Sequence, residues 1–398
     1  MKSLSGPAPW ILVLLSLVAG CTSVPPLKTE AVRPASAEAL STYASEIKRG
    51  NDRMQVGDYN AAIAAFDEAI ALMPTTPTAF AYRGQAREQQ GDLKGASADY
   101  SHIPNGDPQF VFTYIARGSV RMAQGDMVGA NFDFEQAVAL APGNAQVLAA
   151  RAGAKSRLND VDGAIADADQ AIALDPKLVS AYVCRALARH LKGDRAGDLA
   201  DLNQVIALSP RDTSALYNRG LVKSELGDVD GAIADYRQAI AVYPNNSFAY
   251  NGIARVKEAR GDFAGAQEAY LQSIRVEPWR ATYNRFALTL ILRRQHLDET
   301  PAGLSEAVSG WSDEWTKAIG HFLLGSIDEE ALIAKANAGT PTKIRKQQCE
   351  AYYYAGMVRL VRNDPAKAKR LFENCVATGI TNFREFELAK KELDRLAN

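Results

Sequence analysis

Few side chains in this chain are placed to do chemistry. Four histidines and four cysteines stand among 398 residues. His102, His190, His296 and His321 show no H-E-x-x-H or comparable spacing, the pattern that sets two imidazoles on one helix face around a metal. Cys184 and His190 lie six residues apart on one helical stretch. That separation points them to different faces and argues against a thiol–imidazole dyad, so Cys184 reads as a small buried or groove residue. No glycine-rich phosphate loop is present, because the Gly-Asp pairs recur at a fixed period and read as turns. Glu329 and Glu330 read as a solvated helix face. The expectation is therefore no metal, no cofactor and no enzyme activity.

One charged column does recur. Arg49, Arg83, Arg117, Arg151, Arg185 and Arg219 stand at one position of a repeating pattern. Sixteen residues after all but the first come Asp99, Asp133, Asp167, Asp201 and Asp235. Where the next arginine is due the chain has Ile253, and its aspartate is replaced by Ala269, so both members vanish together. One reading is a basic stripe for an anionic ligand. The other is an internal Arg–Asp ladder locking helix to helix, and the paired loss favours it. Exposed pairs of this kind are worth only about 0–1 kcal/mol each.

The elements that place these residues repeat every 34 or so positions. The clearest copy is T-S-A-L-Y-N-R-G-L-V-K-S-E-L-G-D-V-D-G-A-I-A-D-Y-R-Q-A-I-A-V-Y-P-N-N from Thr213 to Asn246. Gly220 lets a first helix pack closely, and Gly227-Asp228 turns the chain. Ala232, Tyr236 and Ala239 form one stripe of a second helix, and Pro244 ends it. This resembles the tetratricopeptide pattern, apart from Leu216 where that family prefers an aromatic. The marks recur in seven consecutive copies over 41–280. The fifth is the weakest, with Asp198 at the small-residue place and Leu202 at the aromatic one, which predicts looser packing. The resemblance implies an all-α, right-handed solenoid of helical hairpins, in which each repeat buries its apolar face against its neighbours. It also implies an inner groove lined by first helices: Tyr82, Phe112, Ile115, Met122, Tyr217, Phe248, Asn251 and Arg255. These are mostly apolar, aromatic or neutral. The lysine of relatives that clamp a carboxylate is replaced by Ile47.

Net charge is −1, from 45 basic and 46 acidic residues. That balance argues against nucleic acid or an acidic membrane surface as partner. Residues 1–20 carry Lys2 and an apolar run from Trp10 to Ala19, too short to span a bilayer comfortably, and read as a secretory signal. Val18-Ala19-Gly20-Cys21 resembles a bacterial lipobox, which implies cleavage before Cys21 and acylation of it. Thr22 after the cysteine suggests, by the same resemblance, the outer membrane, with the protein facing the periplasm. Residues 21–40, rich in Pro, Ser, Ala and Thr, read as a tether.

Residues 281–398 depart from the register. Helical patterns run over Ala281–Leu297, Trp311–Leu324 and Ile327–Ala336, with a turn and short helix over Asp298–Gly310 and a loop over Gly339–Thr342. One further hairpin spans Cys349 to Thr378, with Gly356, Ala368, Phe372 and Cys375 at the diagnostic places and Asn363-Asp364 at its turn. A last helix follows over Asn382–Leu396, with Asn382 and Glu385 spaced as a capping box. Cys349 and Cys375 are nearly equidistant from the turn, so an antiparallel hairpin brings them level. A disulfide in an oxidising compartment and a free cysteine serving as a small buried residue are both open readings.

W-T-K-A-I-G-H-F-L-L-G-S-I-D-E-E-A-L from Trp315, C-E-A-Y-Y-Y-A-G-M-V-R-L from Cys349 and R-L-F-E-N-C-V-A-T-G-I-T-N-F-R-E-F-E-L-A from Arg370 are similar to the tail of NlpI-type tetratricopeptide lipoproteins. The repeat count here exceeds that of the short members. The resemblance implies a lipid-anchored adaptor that binds other proteins, among them cell-wall hydrolases and the proteases that degrade them, and a possible homodimer. An envelope assembly factor for outer-membrane proteins or pili is the alternative. A further one is an enzyme with an unrecognised site in 281–346.

Overall fold

The computed structural model describes residues 36–295, 303–381 and 383–397. The expected leader, Cys21 and most of the tether lie outside the described residues, as do His296, the start of the Asp298–Gly310 turn and the Asn382 cap. Every regular element among the described residues is a helix, and none is long and apolar enough to cross a membrane. They fall into two compact units, 36–227 and 228–397.

The first unit runs α1 Ala37–Gln55, α2 Tyr59–Leu72, α3 Pro77–Gln90, α4 Leu93–Tyr100, α5 Val111–Gln124, α6 Met127–Leu140, α7 Ala145–Arg157, α8 Val161–Leu174, α9 Val179–Lys192, α10 Arg195–Leu208 and α11 Thr213–Glu225. The second runs α12 Val229–Val242, α13 Ser247–Ala259, α14 Phe263–Val276, α15 Thr282–Arg294, α16 Leu304–Gly310, α17 Glu314–Leu324, α18 Glu329–Lys335, α19 Pro341–Val361, α20 Pro365–Ala377 and α21 Arg384–Ala397. Within each unit, neighbouring helices pack as hairpins that stack in chain order. The fold class is the all-α, right-handed solenoid of helical hairpins.

A two-residue device makes each hairpin. Gly91 ends α3 in the left-handed region at φ +88°, and Asp92 then caps α4 by accepting from Gly95 N at 2.9 Å. In the fourth repeat and the last hairpin, Asn159 and Asn363 take the left-handed place at φ +65° and +59°, and Asp160 and Asp364 supply the caps. Asparagine is the side chain that best tolerates that conformation.

Close approach of the two helices depends on a glycine facing an aromatic ring. A Cβ on Gly84 would stand 2.6 Å from the Tyr100 ring, on Gly118 2.8 Å from Phe134, and on Gly356 2.6 Å from Phe372. In the fourth and fifth repeats the glycine becomes Ala152 or Ala186, and the facing residue shrinks to Ala168 or Leu202. Where that ring is a tyrosine, its hydroxyl needs an acceptor once buried. Tyr100 donates to Glu88 Oε2 at 2.9 Å, and Tyr270 to Glu258 Oε2 at 2.8 Å, each glutamate 12 residues before its tyrosine.

Three local features depart from the plain repeat. The second helix of the second repeat stops at Tyr100, eight residues before Pro108. Pro104, one turn on, can neither donate its missing N–H nor fit the helical interior. The chain instead folds Ile103 inward, and Tyr114 holds it by donating to Pro104 O at 2.6 Å and accepting from Asp107 N at 2.8 Å. In the fifth repeat Asp198 and Leu202 are both enclosed, and Asp198, at the small-residue place, pairs through Oδ2 with His190 Nδ1 at 2.9 Å. The last hairpin begins earlier than Cys349, because Pro341 sits at a first helical turn capped by Thr340 and starts α19 there.

Gly84→Ala tests the glycine–ring contact. Tyr100 is pinned by Glu88 and cannot retreat freely, so overpacking of about 1–3 kcal/mol should outweigh the roughly 1 kcal/mol gained in helix propensity. Urea unfolding should show a net loss, and a gain would mean that the ring gives way at no cost.

Candidate functional site

The arginine–aspartate column is an internal structure. Asp99 takes Arg83 Nη2 at 2.6 Å and Arg87 Nη1 at 2.8 Å. Asp133 takes Arg117 Nη2 at 2.7 Å and Arg121 Nη1 at 2.8 Å. Asp167 takes Arg151 at 2.7 Å and Lys155 at 2.9 Å, and Asp201 takes Arg185 at 2.6 Å and Arg189 at 2.8 Å. Each carboxylate is thus held by two cations one turn apart on the first helix, and the second cation is what the column alone missed. It was visible in the sequence, since Arg87, Arg121, Lys155 and Arg189 each follow the first by four. Arg83 and Arg185 also reach back to Asp67 and Asp169 of the preceding hairpins, at 2.5 and 2.6 Å.

The expectation of exposed, weak pairs is overturned. Asp99, Asp133, Asp167 and Asp201 are all buried, and Arg117 with them. Arg117 spends its other donors on Tyr100 O and Asn105 Oδ1, which ties the irregular loop of the second repeat to the third. Arg49, which has no aspartate, pairs with Glu46 and Glu68 instead. Arg219 and Asp235 belong to different units; Arg219 donates to Asn203 Oδ1 at 3.0 Å, and Asp235 is buried.

The eight inner-face residues divide. Phe112 is exposed, Ile115 and Phe248 are half-buried, and Arg255 is exposed. Asn251 is half-buried and bonded to Asn284, the start of a polar chain in the second unit that runs on to Ser273 and the Ser247 carbonyl. Tyr82, Met122 and Tyr217 are interior residues, which corrects their place in a groove. Tyr82 stacks on Phe66 with ring centres 5.6 Å apart, and Met122 packs on Phe134, Ala130 and Ala154. Helical period fixes the side of a helix but not how deep a long side chain turns into the next repeat.

Among the cysteines, Cys184 is buried and its thiol is pushed up to about 12 by burial, against the opposing pull of Arg157. Cys349 and Cys375 meet across the last hairpin as unbonded buried thiols, sulfur to sulfur 3.1 Å, and Cys375 also reaches the Glu385 carbonyl at 3.7 Å. Among the described residues no three His, Cys, Asp or Glu side chains are grouped to hold a metal ion.

A buried acidic centre in the second unit had no counterpart in the sequence reading. Glu350, on α19, accepts from Trp315 Nε1 at 2.6 Å and from Tyr283 Oη at 2.9 Å. Burial pushes its carboxyl up to about 8, the nearby Glu385 carboxyl pushes further, and the Trp315 and Tyr283 bonds act in the opposite direction. In the same core Phe286 meets Trp311 and Tyr354 edge-on, with ring centres 5.5 Å apart in each case.

Residues 50–91 match the family model described as TPR repeat, and residues 213–246 the one described as Tetratricopeptide repeat. No curated protein matches the sequence. Among solved structures, a tetratricopeptide repeat protein from Parabacteroides merdae is 19% identical, with 63% of this chain and 99% of that one aligned and a TM-score of 0.52. The C-terminal part of a TPR repeat-containing protein from Cytophaga hutchinsonii is 14% identical, covering 60% and 98%, with a TM-score of 0.44. A thermophilic TPR protein of Thermus thermophilus is 22% identical, covering 46% and 98%, with a TM-score of 0.39. The likeness to the first is one of fold, and the two matched segments are of the tetratricopeptide type.

Two predictions follow from the buried charges. Asp133→Ala strands Arg117 in the interior and should cost about 3–5 kcal/mol; Arg117→Ala should cost a similar amount, and the double variant clearly less than the sum. Additive losses in denaturant unfolding would mean that the pair is uncoupled. For Glu350 the folded chain keeps a proton that the unfolded chain sheds near 4.5. Its contribution to stability is full below that value, falls as pH rises toward about 8, and is gone above it. Glu350→Gln should remove this part of the pH dependence in thermal melts between pH 5 and 8; an unchanged profile would mean the carboxyl is ionised throughout.

Proposed function

We propose that the chain is a lipid-anchored adaptor on the periplasmic side of the outer membrane that binds other proteins through its first-helix faces. The observation that carries the binding role is the fate of the charged column. Its cations and carboxylates satisfy one another inside the hairpins, so the column offers no free stripe to an anionic ligand. On α5 the first-helix face leaves an apolar side chain accessible, Phe112 at 36% exposure, with Ile115 beside it on the same helix. Exposed apolar side chains on such a face suit a polypeptide partner.

The resemblance of the leader to a lipobox supports Cys21 as the acylated residue, and the likeness of the tail to NlpI-type lipoproteins supports cell-wall hydrolases and their proteases as the partner class. Export would also place Cys349 and Cys375 where a bridge forms. Their sulfurs need to close by only about 1 Å to reach bonding distance.

A photo-crosslinking side chain at Phe112 in intact cells, followed by affinity capture, identifies the partner, and Phe112→Asp should lower its affinity at least tenfold with melting unchanged. Cys21→Ser should abolish fatty-acid labelling and leave a precursor. Unmodified capture by Phe112→Asp, or labelling that survives Cys21→Ser, would overturn the corresponding half of this reading. Alkylation without reduction should mark Cys184 alone among the three interior thiols once the exported protein is unfolded.

A further inference from the structure

The sequence sets glycine directly after asparagine twice, at Asn105-Gly106 and at Asn251-Gly252. A glycine in that place leaves its backbone nitrogen unshielded, because no Cβ stands beside it. Such a nitrogen can attack the carbonyl carbon of the asparagine side chain and close a five-membered imide. The two pairs are placed differently for this. Asn251-Gly252 lies inside α13, where backbone N–H groups are committed to helical bonds. A Cβ on Gly252 would stand 2.7 Å from the Tyr236 ring, so the helix leaves no space for ring closure. Asn105-Gly106 lies outside any helix, in the exposed loop between α4 and α5. Gly106 has φ +80°, and nothing stands within 4 Å of where its Cβ would be.

The Asn105 side chain is held in a reactive setting. Its Oδ1 accepts from Arg117 Nη2 at 2.8 Å. A guanidinium on a carbonyl oxygen stabilises the oxyanion that forms when a nucleophile adds to the carbon. Arg117 is buried and paired with Asp133 at 2.7 Å, so this donor is fixed in place.

The same position lacks an acid that its counterparts have. Arg83 and Arg185 each bind a second carboxylate from the preceding hairpin, Asp67 and Asp169, at 2.5 and 2.6 Å. Both acids stand sixteen residues before their arginine, and sixteen before Arg117 stands Ser101. Among the described residues Arg117 has Asp133 as its one carboxylate, and the neutral amide of Asn105 takes up a further donor.

We infer that Asn105 is a self-modifying site whose product supplies Arg117 with its second acid. Gly106 N gives its proton to solvent and bonds to Asn105 Cγ. The Cγ–Nδ2 bond then breaks, and ammonia leaves with a proton taken back from solvent. One water opens the imide, at Cγ to give isoaspartate or away from Cγ to leave the rearranged chain's partner product, aspartate, according to which carbonyl it attacks. The whole change consumes one water, releases one ammonia and needs no oxidant or reductant. In the aspartate product the contact with Arg117 becomes charge-assisted, and a neutral bond between the second and third repeats becomes an ion pair.

The test keeps the full chain in warm, mildly alkaline buffer and samples it by peptide mapping. Conversion at Asn105 should run at least tenfold faster than at Asn251 in the same molecules. Fresh Asn105→Asp, which is the converted form with its main chain intact, should unfold at a higher urea concentration than the fresh parent chain. Conversion at Asn105 no faster than at Asn251 would overturn the proposal. So would an Asn105→Asp chain that unfolds at the same urea concentration as the parent or a lower one, since the new carboxylate would then not be the missing acid.

Discussion

A carboxylate buried between two helices cannot stand alone, and that constraint orders the first unit. Asp99, Asp133, Asp167 and Asp201 sit where water does not reach them, so each requires cations whose geometry the hairpin itself supplies. The first helix provides them at two successive turns, i and i+4, where they lie on one face. Arginine's planar fork takes two oxygens at once, as Arg117 Nε and Nη2 do on Asp133. Replacing a whole buried pair by apolar groups is nearly neutral, while removing one member is costly. The seventh repeat shows the first route, with Ile253 and Ala269 both buried where the pair would be. Buried half-pairs are the arrangement that physics penalises; the one arginine of the column without an aspartate, Arg49, is exposed and finds Glu46 and Glu68.

That rule was legible because it acts at a fixed spacing. Gly91-Asp92 reads as a turn for the same reason, since left-handed backbone followed by a capping side chain is a local requirement. So does the meeting of Gly118 with Phe134, sixteen residues apart on facing helices. What spacing cannot convey is depth. Tyr82 reads as a face residue, yet its length lets it turn onto Phe66 of the preceding repeat. Pro104 is readable as a breaker, but Pro108 stands four periods before Pro244 and keeps the register, which masks the earlier stop.

The second unit hides its polar interior for another reason. Glu350 finds its donors at Tyr283 and Trp315, 67 and 35 residues away along the chain. No repeat period links them, and the three meet only because α15, α17 and α19 converge. Its neighbours Cys349 and Cys375, by contrast, were legible as a level pair, since one hairpin with a readable turn carries both. Sequence reasoning therefore reaches as far as one hairpin, and the contacts it misses are those made between elements of different register.

The two units thus solve one problem, the burial of acids, by different means, and the difference has consequences for function. In the first, carboxylates meet guanidinium groups that stay charged at every physiological pH. Such pairs make a stiff frame and leave no free charged stripe along the column. In the second, Glu350 is held by neutral donors, a phenol and an indole, with a second carboxyl nearby. Those donors favour the ionised carboxyl while burial and the second carboxyl favour the neutral one, so this centre responds to pH. A frame built of saturated ion pairs is suited to presenting a constant surface. A carboxyl held by a phenol and an indole instead changes its charge with pH, and the stability of the second unit changes with it.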